Sequence, residues 1–206
     1  MPSSKRKRAI RETPDNRRYL ILQAARECLS EQGRKGFTLS NVADRAEVSI
    51  SLVSHYFGSA ELLLQEVFQS ALFEAQPRKY KKPNDLNEAL GNLISIVDRH
   101  FDTDLRSRKY LNMWLPIYEE AFFDAGLRRS LAKIDRDTAT TVSKLISDVS
   151  TYRHITVDSP ALEDEFLAFL DGLWIRWCLS GRATATRELA AATRFLEASL
   201  GPLRVV

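Results

Sequence analysis

At 206 residues, with 44% hydrophobic and 28% charged side chains, the chain has the composition of a soluble globular protein with enough apolar content for one or two packed domains. No apolar run approaches the ~20 residues that a membrane span needs, and the charged N-terminus has no apolar stretch behind it, so no membrane partner and a cytoplasmic location are expected. The net charge of +3 is uneven: residues 1–58 hold eleven Lys and Arg against six Asp and Glu, and the remainder holds nineteen against twenty-one. That asymmetry predicts a polyanion partner for the N-terminal part alone.

Residues 1–14 carry Lys5-Arg6-Lys7-Arg8 and Arg11 and end at Pro14, which reads as a disordered basic arm able to add salt-dependent attraction to phosphates. A first helix is expected from about Asp15 to Gln32, closing at Gly33, with Leu20, Ile21, Ala24, Ala25, Cys28 and Leu29 as its apolar stripe. Arg17 and Arg18 stand near its start, opposed to the helix dipole, as a pair meant for a phosphate would. Thr38 to Phe57 then reads as two short helices around a tight turn. Thr38 and Ser49 are the N-caps, Leu39, Val42, Ala43 and Ala46 form one inward face, and Val53 and Phe57 form the other. This leaves Ser49, Ile50, Ser51, Leu52, Ser54, His55 and Tyr56 facing other ways. Small polar groups with one aromatic on a short helix suit the major groove of DNA.

A connector helix is expected from Ser59 to Pro77, apolar on two faces, followed by a basic link from Arg78 to Pro83. Beyond it the pattern is helical throughout. One helix is capped by Asn84 and runs to Phe101. Another runs from Asp104 to Phe123 and should be kinked or split at Pro116. A third spans Leu127 to Val149, and Thr151 to Ser159 reads as a loop. Ser159-Pro160 opens a helix that ends at Gly181, and Thr184 or Thr186 caps the last one, to about Leu200. The expected class is all-α with nine helices, divided into an arm over 1–14, a helix-turn-helix domain over 15–58 and a second domain over 59–206.

Catalysis finds no residue set. G-x-G-x-x-G, P-loop, H-E-x-x-H and G-x-S-x-G are all absent, the three His are scattered, and no cofactor or metal is implied. Cys28 and Cys178 sit inside predicted helices without metal spacing and read as buried thiols. The second domain is rich in aromatics at helical spacing. Tyr110, Trp114 and Tyr118 share one face around Pro116, and Trp174 and Trp177 lie on a later helix. Core packing and a ligand pocket both use such rings; in a pocket their faces attract a cation, above all a quaternary ammonium.

At Thr38, Ala46-Glu47-Val48-Ser49, His55-Tyr56-Phe57 and Ser59 the chain resembles the TetR family of one-component bacterial repressors. HFDTDLRSRKYLNMWLPIY and FLDGLWIRWCLSG are similar to its BetI-type branch, choline-responsive repressors of glycine-betaine synthesis genes. The resemblance implies a nine-helix TetR-like fold in which Arg17, Thr38, the exposed residues of the second short helix and Ser59 meet a pseudo-palindromic double-stranded operator. It also implies that the last two helices of each subunit form a four-helix homodimer interface, for which Leu167, Leu170, Leu189, Ala192, Phe195 and Leu196 are the candidates, and that a small-molecule effector, with choline as candidate, binds near Tyr110, Trp114, Tyr118, Trp174 and Trp177. Asp171 or Glu119 could supply a counter-charge. Three residues depart from the family pattern, among them Ser51, where a second Gly is frequent. Glu47 stands where Gly is usual, implying φ > 0 at a cost of about 1 kcal/mol, and Ala60 stands where a phosphate-contacting Lys is usual. The reading is a ligand-responsive transcriptional regulator, a repressor released from its operator; the alternative is a helical ligand-binding or scaffold protein without operator binding.

Overall fold

A computed structural model describes residues 13–77, 79–101 and 108–203. Among them lie nine helices and no strand: α1 (Pro14–Gly36), α2 (Leu39–Arg45), α3 (Ile50–Phe57), α4 (Ala60–Glu74), α5 (Leu86–His100), α6 (Arg108–Ala121), α7 (Ala125–Arg153), α8 (Ser159–Ser180) and α9 (Thr186–Leu200). The expected basic arm falls almost wholly outside the described residues, as does Asp104. The chain forms two compact units, Met1–Phe68 and Gln69–Val206, with the boundary inside α4.

Local chemistry accounts for the first unit. Thr38 Oγ1 accepts from the Asn41 N–H at 3.2 Å, Ser49 Oγ from the Leu52 N–H at 3.2 Å, and Ser59 Oγ from the Leu62 N–H at 3.2 Å. Each thereby satisfies a first-turn donor that its helix leaves open. Glu47 sits at φ 55°, the left-handed region that a Gly would enter without penalty. Helix α1 breaks at Gly33 (φ 67°) and only a short turn follows. Ile21, Ala25, Cys28, Leu29, Val42, Val53, Leu63 and Val67 are fully buried and make the core.

The second unit corrects several expectations. Asp85, not Asn84, caps α5, accepting from the Glu88 N–H at 2.8 Å, while Asn84 donates its own N–H to Glu88 Oε2 at 2.7 Å. Pro116 does not split α6, which runs unbroken from Arg108 to Ala121; the ring removes one backbone bond, but its fixed φ is itself helical. The stretch read as a loop begins as the last turn of α7. Thr151 Oγ1 satisfies itself on the Ser147 carbonyl at 2.7 Å, Tyr152 donates to the Pro83 carbonyl at 2.8 Å, and the Arg153 guanidinium donates to the carbonyls of Leu200 and Pro202. These tertiary bonds outweigh the β-branched bias against helix. Asp158, one residue before Ser159, caps α8. Neither Thr184 nor Thr186 caps α9; its cap residue is Ala185, and in the first turn a buried Glu188 accepts from the Arg182 guanidinium instead. Gly181 ends α8 at φ 70°, as expected.

Candidate functional site

The first unit offers one outward surface on α3. Val53 and Phe57 are 0% and 5% exposed and anchor the helix, while Ile50, Ser51 and His55 are exposed and Leu52, Ser54 and Tyr56 half-buried. Phe57 is covered from behind by the Arg18 guanidinium, 4.8 Å from its ring centroid, and Arg18 pairs with Glu66 at 2.5 Å. Arg18 therefore belongs to the packing, and Arg17 beside it is likewise half-buried. Thr38 and Ser49 use their hydroxyls as caps and stand exposed at two helix N-termini, where backbone N–H groups suit phosphate oxygens. Ser49 and Ser51 hydroxyls lie 2.9 Å apart, and the His55 and Tyr56 rings meet edge to face at 5.5 Å. Ser59 is half-buried at the opening of α4.

The second unit holds a cavity of about 910 Å³. Tyr110, Trp114 and Tyr118 on α6 and Trp174 on α8 line it. Ring centroids stand 5.6 Å apart for Tyr110 and Trp114, 5.9 Å for Tyr110 and Trp174, and 5.7 Å for Trp114 and Tyr118, so the four rings form one continuous wall. Trp177 does not join them. It is buried against Phe101 at 6.3 Å and belongs to the core, although its three-residue spacing from Trp174 puts both on much the same side of α8.

His100, at the end of α5, also lines the cavity. Its ring lies 6.4 Å from that of Trp174, and its Nε2 stands 3.7 Å from Asp171 Oδ1. Asp171 thus lines the cavity, whereas Glu119 is exposed and away from it. Burial pushes the Asp135 and Glu163 carboxyls up, and Asp164 adds to the rise at Glu163; both line the cavity. Residue-by-residue reading missed the polar face of α5. Glu88, Asn92, Ser95 and Arg99 reach the cavity as one stripe, opposite the buried Leu90, Leu93 and Val97, and His100 reaches it from outside that stripe. The signal was present as a second stripe at helical period.

The expected interface residues divide. Leu170, Ala192 and Leu196 are fully buried within this one chain and cannot face a second. Leu167 lines the cavity, and Phe195 is stacked on Phe166 at 6.0 Å and Phe169 at 5.0 Å. Leu170, Ala192 and Leu196 therefore belong to the chain's own core, while Leu167, Leu189 and Phe195 are half-buried.

Two family models match the chain: bacterial regulatory proteins of the tetR family over residues 21–67, and the C-terminal part of BetI-type transcriptional repressors over residues 91–201. The chain is a TetR-family transcriptional regulator of the BetI type. The HTH-type transcriptional regulator BetI of Burkholderia mallei is 29% identical over 191 residues, covering 90% of this chain and 94% of that one. A transcriptional regulator of Saccharomonospora viridis, solved in complex with choline, shares the fold with a TM-score of 0.70 at 19% identity over 87% of this chain and 95% of that one. One from Pseudomonas aeruginosa PAO1 gives 0.65 at 17% over 91% and 92%. As a BetI-type regulator the protein is not an enzyme, and none of its described helices is long and apolar enough to cross a membrane.

Proposed function

We propose that this BetI-type regulator acts in the cytoplasm as a homodimeric repressor that places α3 of each copy in successive major grooves of a pseudo-palindromic operator and leaves it when a quaternary amine enters the cavity. The continuous wall of Tyr110, Trp114, Tyr118 and Trp174 carries the ligand half of this reading. A quaternary ammonium gains roughly 0.5–2 kcal/mol from each well-placed ring face, and Asp171, Asp135 and Glu163 favour a cation. The Saccharomonospora viridis neighbour with choline bound supports the same ligand class.

Release needs a ligand that binds the two states unequally. Ala75, Gln76 and Pro77, which follow α4 directly, line the cavity, so an occupant touches the segment into which α4 runs. The two α3 helices must stand roughly 34–36 Å apart to read adjacent grooves, and a small displacement at α4 is enough to lose that match. For the dimer, α8 offers Ala161, Glu165, Gly172, Ile175 and Leu179, all exposed along one face, whereas Ala168 lines the cavity. That is the seam of a helix meeting another helix, and Arg187 and Arg194, exposed on α9, supply charge opposite to Glu165.

Calorimetric titration of choline into the parent protein, Trp114→Leu and Trp174→Leu tests the ligand reading. Both variants are expected to stay folded and to lose at least tenfold in affinity. Unchanged affinity in both would make these rings structural, and no heat with the parent would remove choline. A gel shift on the chain's own upstream DNA, with and without choline, separates this reading from a ligand-binding protein without an operator.

A further inference from the structure

The cavity is much larger than a small quaternary amine. Pockets of about 300–1,000 Å³ serve drug-sized ligands, and about 910 Å³ is near the top of that range, whereas choline has only seven heavy atoms. The space is also long. On α5 the lining runs from Glu88 to His100, twelve residues further on, or about 18 Å of helix.

The two ends differ. At one end are His100, Tyr110, Trp114 and Trp174. At the other end the segment after α4 is pinned to the C-terminal part of α7. Tyr80 donates to Asp148 at 2.8 Å beneath the Lys144 ammonium, which lies 5.2 Å from the Tyr80 ring, and Tyr152 donates to the Pro83 carbonyl at 2.8 Å. Lys79 and Lys81 line that end together with Glu88, so it carries charges of both signs. These contacts set the start of α5 beside the end of α7, so the two helices run antiparallel. Leu145 and Val142 then lie toward the lysine end and Ile134 toward the rings. With Ile96 and Leu167 they make one apolar strip between the ends, facing the polar stripe of Asn92, Ser95 and Arg99 on α5.

We infer that the cavity takes a quaternary amine extended by an apolar chain, with the trimethylammonium head against the Trp114 and Trp174 rings and the chain lying along α7 past Ala139 toward Lys79 and Lys81. The inference rests on the cation reading above and adds the ligand's second half. Head and chain are recognised separately: the head by ring faces and acidic groups, the chain by burial of its methylenes against Ile96, Ile134, Val142, Leu145 and Leu167.

A homologous series tests it: tetramethylammonium, then butyl-, hexyl- and octyltrimethylammonium, titrated calorimetrically into the full chain below their micelle concentrations, with octanesulfonate as the anionic control. Affinity is expected to rise by up to about fourfold for each methylene that becomes buried, and octanesulfonate to bind at least a hundredfold more weakly than the octyl amine. Ala139→Phe, which puts a ring into the apolar stretch, is expected to abolish the gain with chain length and to leave tetramethylammonium affinity within twofold. Short and long amines binding equally would overturn the chain site and leave the cation reading standing. No heat from any amine would overturn both, and octanesulfonate matching octyltrimethylammonium would reduce the cavity to a general apolar sink. Should Ala139→Phe fail to fold, the series on the unaltered chain still decides between these outcomes.

Discussion

In the first unit the groups offered to a partner sit on one eight-residue helix and point outward; in the second they come from helices α5 to α8 and from the segment after α4, and point inward. His55 and Tyr56 belong to a face defined by its neighbours Val53 and Phe57 a few positions away. Tyr110 and Trp174 are sixty-four residues apart and meet at 5.9 Å only because α6 and α8 pack. A surface that reads a rigid polymer can be built locally and braced from behind, as Arg18 braces Phe57. Enclosing a small molecule takes walls from several elements. The local site should therefore fail through its anchors, and the enclosed one through any of its walls.

The sharpest way to break this contrast is at the anchors of α3. Phe57→Ala is expected to cost about 2–5 kcal/mol, the range for emptying a packed aromatic or aliphatic site. It should abolish operator binding while the heat of amine binding to the second unit persists. Tyr56→Ala and His55→Ala should weaken operator binding with little change in the urea midpoint. Equal destabilisation by Tyr56→Ala and Phe57→Ala would mean that α3 faces the other way.

Next in size is the face of α8. Leu179, 74% exposed, is expected to be an anchor of the dimer, so Leu179→Glu should weaken association by about thirtyfold or more, the effect of losing a hot spot of some 2 kcal/mol, with folding preserved. Leu196→Glu, which buries a charge in the chain's own core, should instead unfold the second unit. Sedimentation equilibrium with circular dichroism separates the two, and a Leu179→Glu protein that remains dimeric would move the interface elsewhere.

The smallest expected effect lies at the lysine end of the cavity. Burial, with the bond to Asp148 second, pushes the Tyr80 phenol up to about 12. The folded state therefore favours the protonated phenol. Its contribution is complete below the ordinary phenol range near 10 and is lost as pH rises from there toward 12. Tyr80→Phe should remove one late-titrating phenol from the alkaline absorbance titration and flatten the fall in stability between pH 10 and 12. An unchanged titration would show Tyr80 to be ordinary.

The first unit was largely legible before any coordinates. Thr38, Ser49 and Ser59 cap as expected, Glu47 adopts positive φ, and Val53 and Phe57 are the inward residues of α3. The four-ring wall was legible in part, because three of its members share one helix at four-residue spacing. Spacing alone groups Trp177 with Trp174, and nothing within a few residues of His100 marks it for the cavity.

The amino-acid sequence by itself determined helix type, most helix ends and the facing of α3, and its motifs carried the resemblance to the TetR family. The first three depend on hydrogen bonds and apolar periods that close within about four residues. Only the tertiary structure decided which apolar stripe of α8 and α9 is core and which faces out, that Trp177 packs on Phe101, and that His100 and Asp171 meet beside the aromatic wall. An apolar stripe states that something must cover it. Whether the cover is the same chain, a ligand or a second copy depends on how distant helices pack, and no local hydrogen bond or period encodes that.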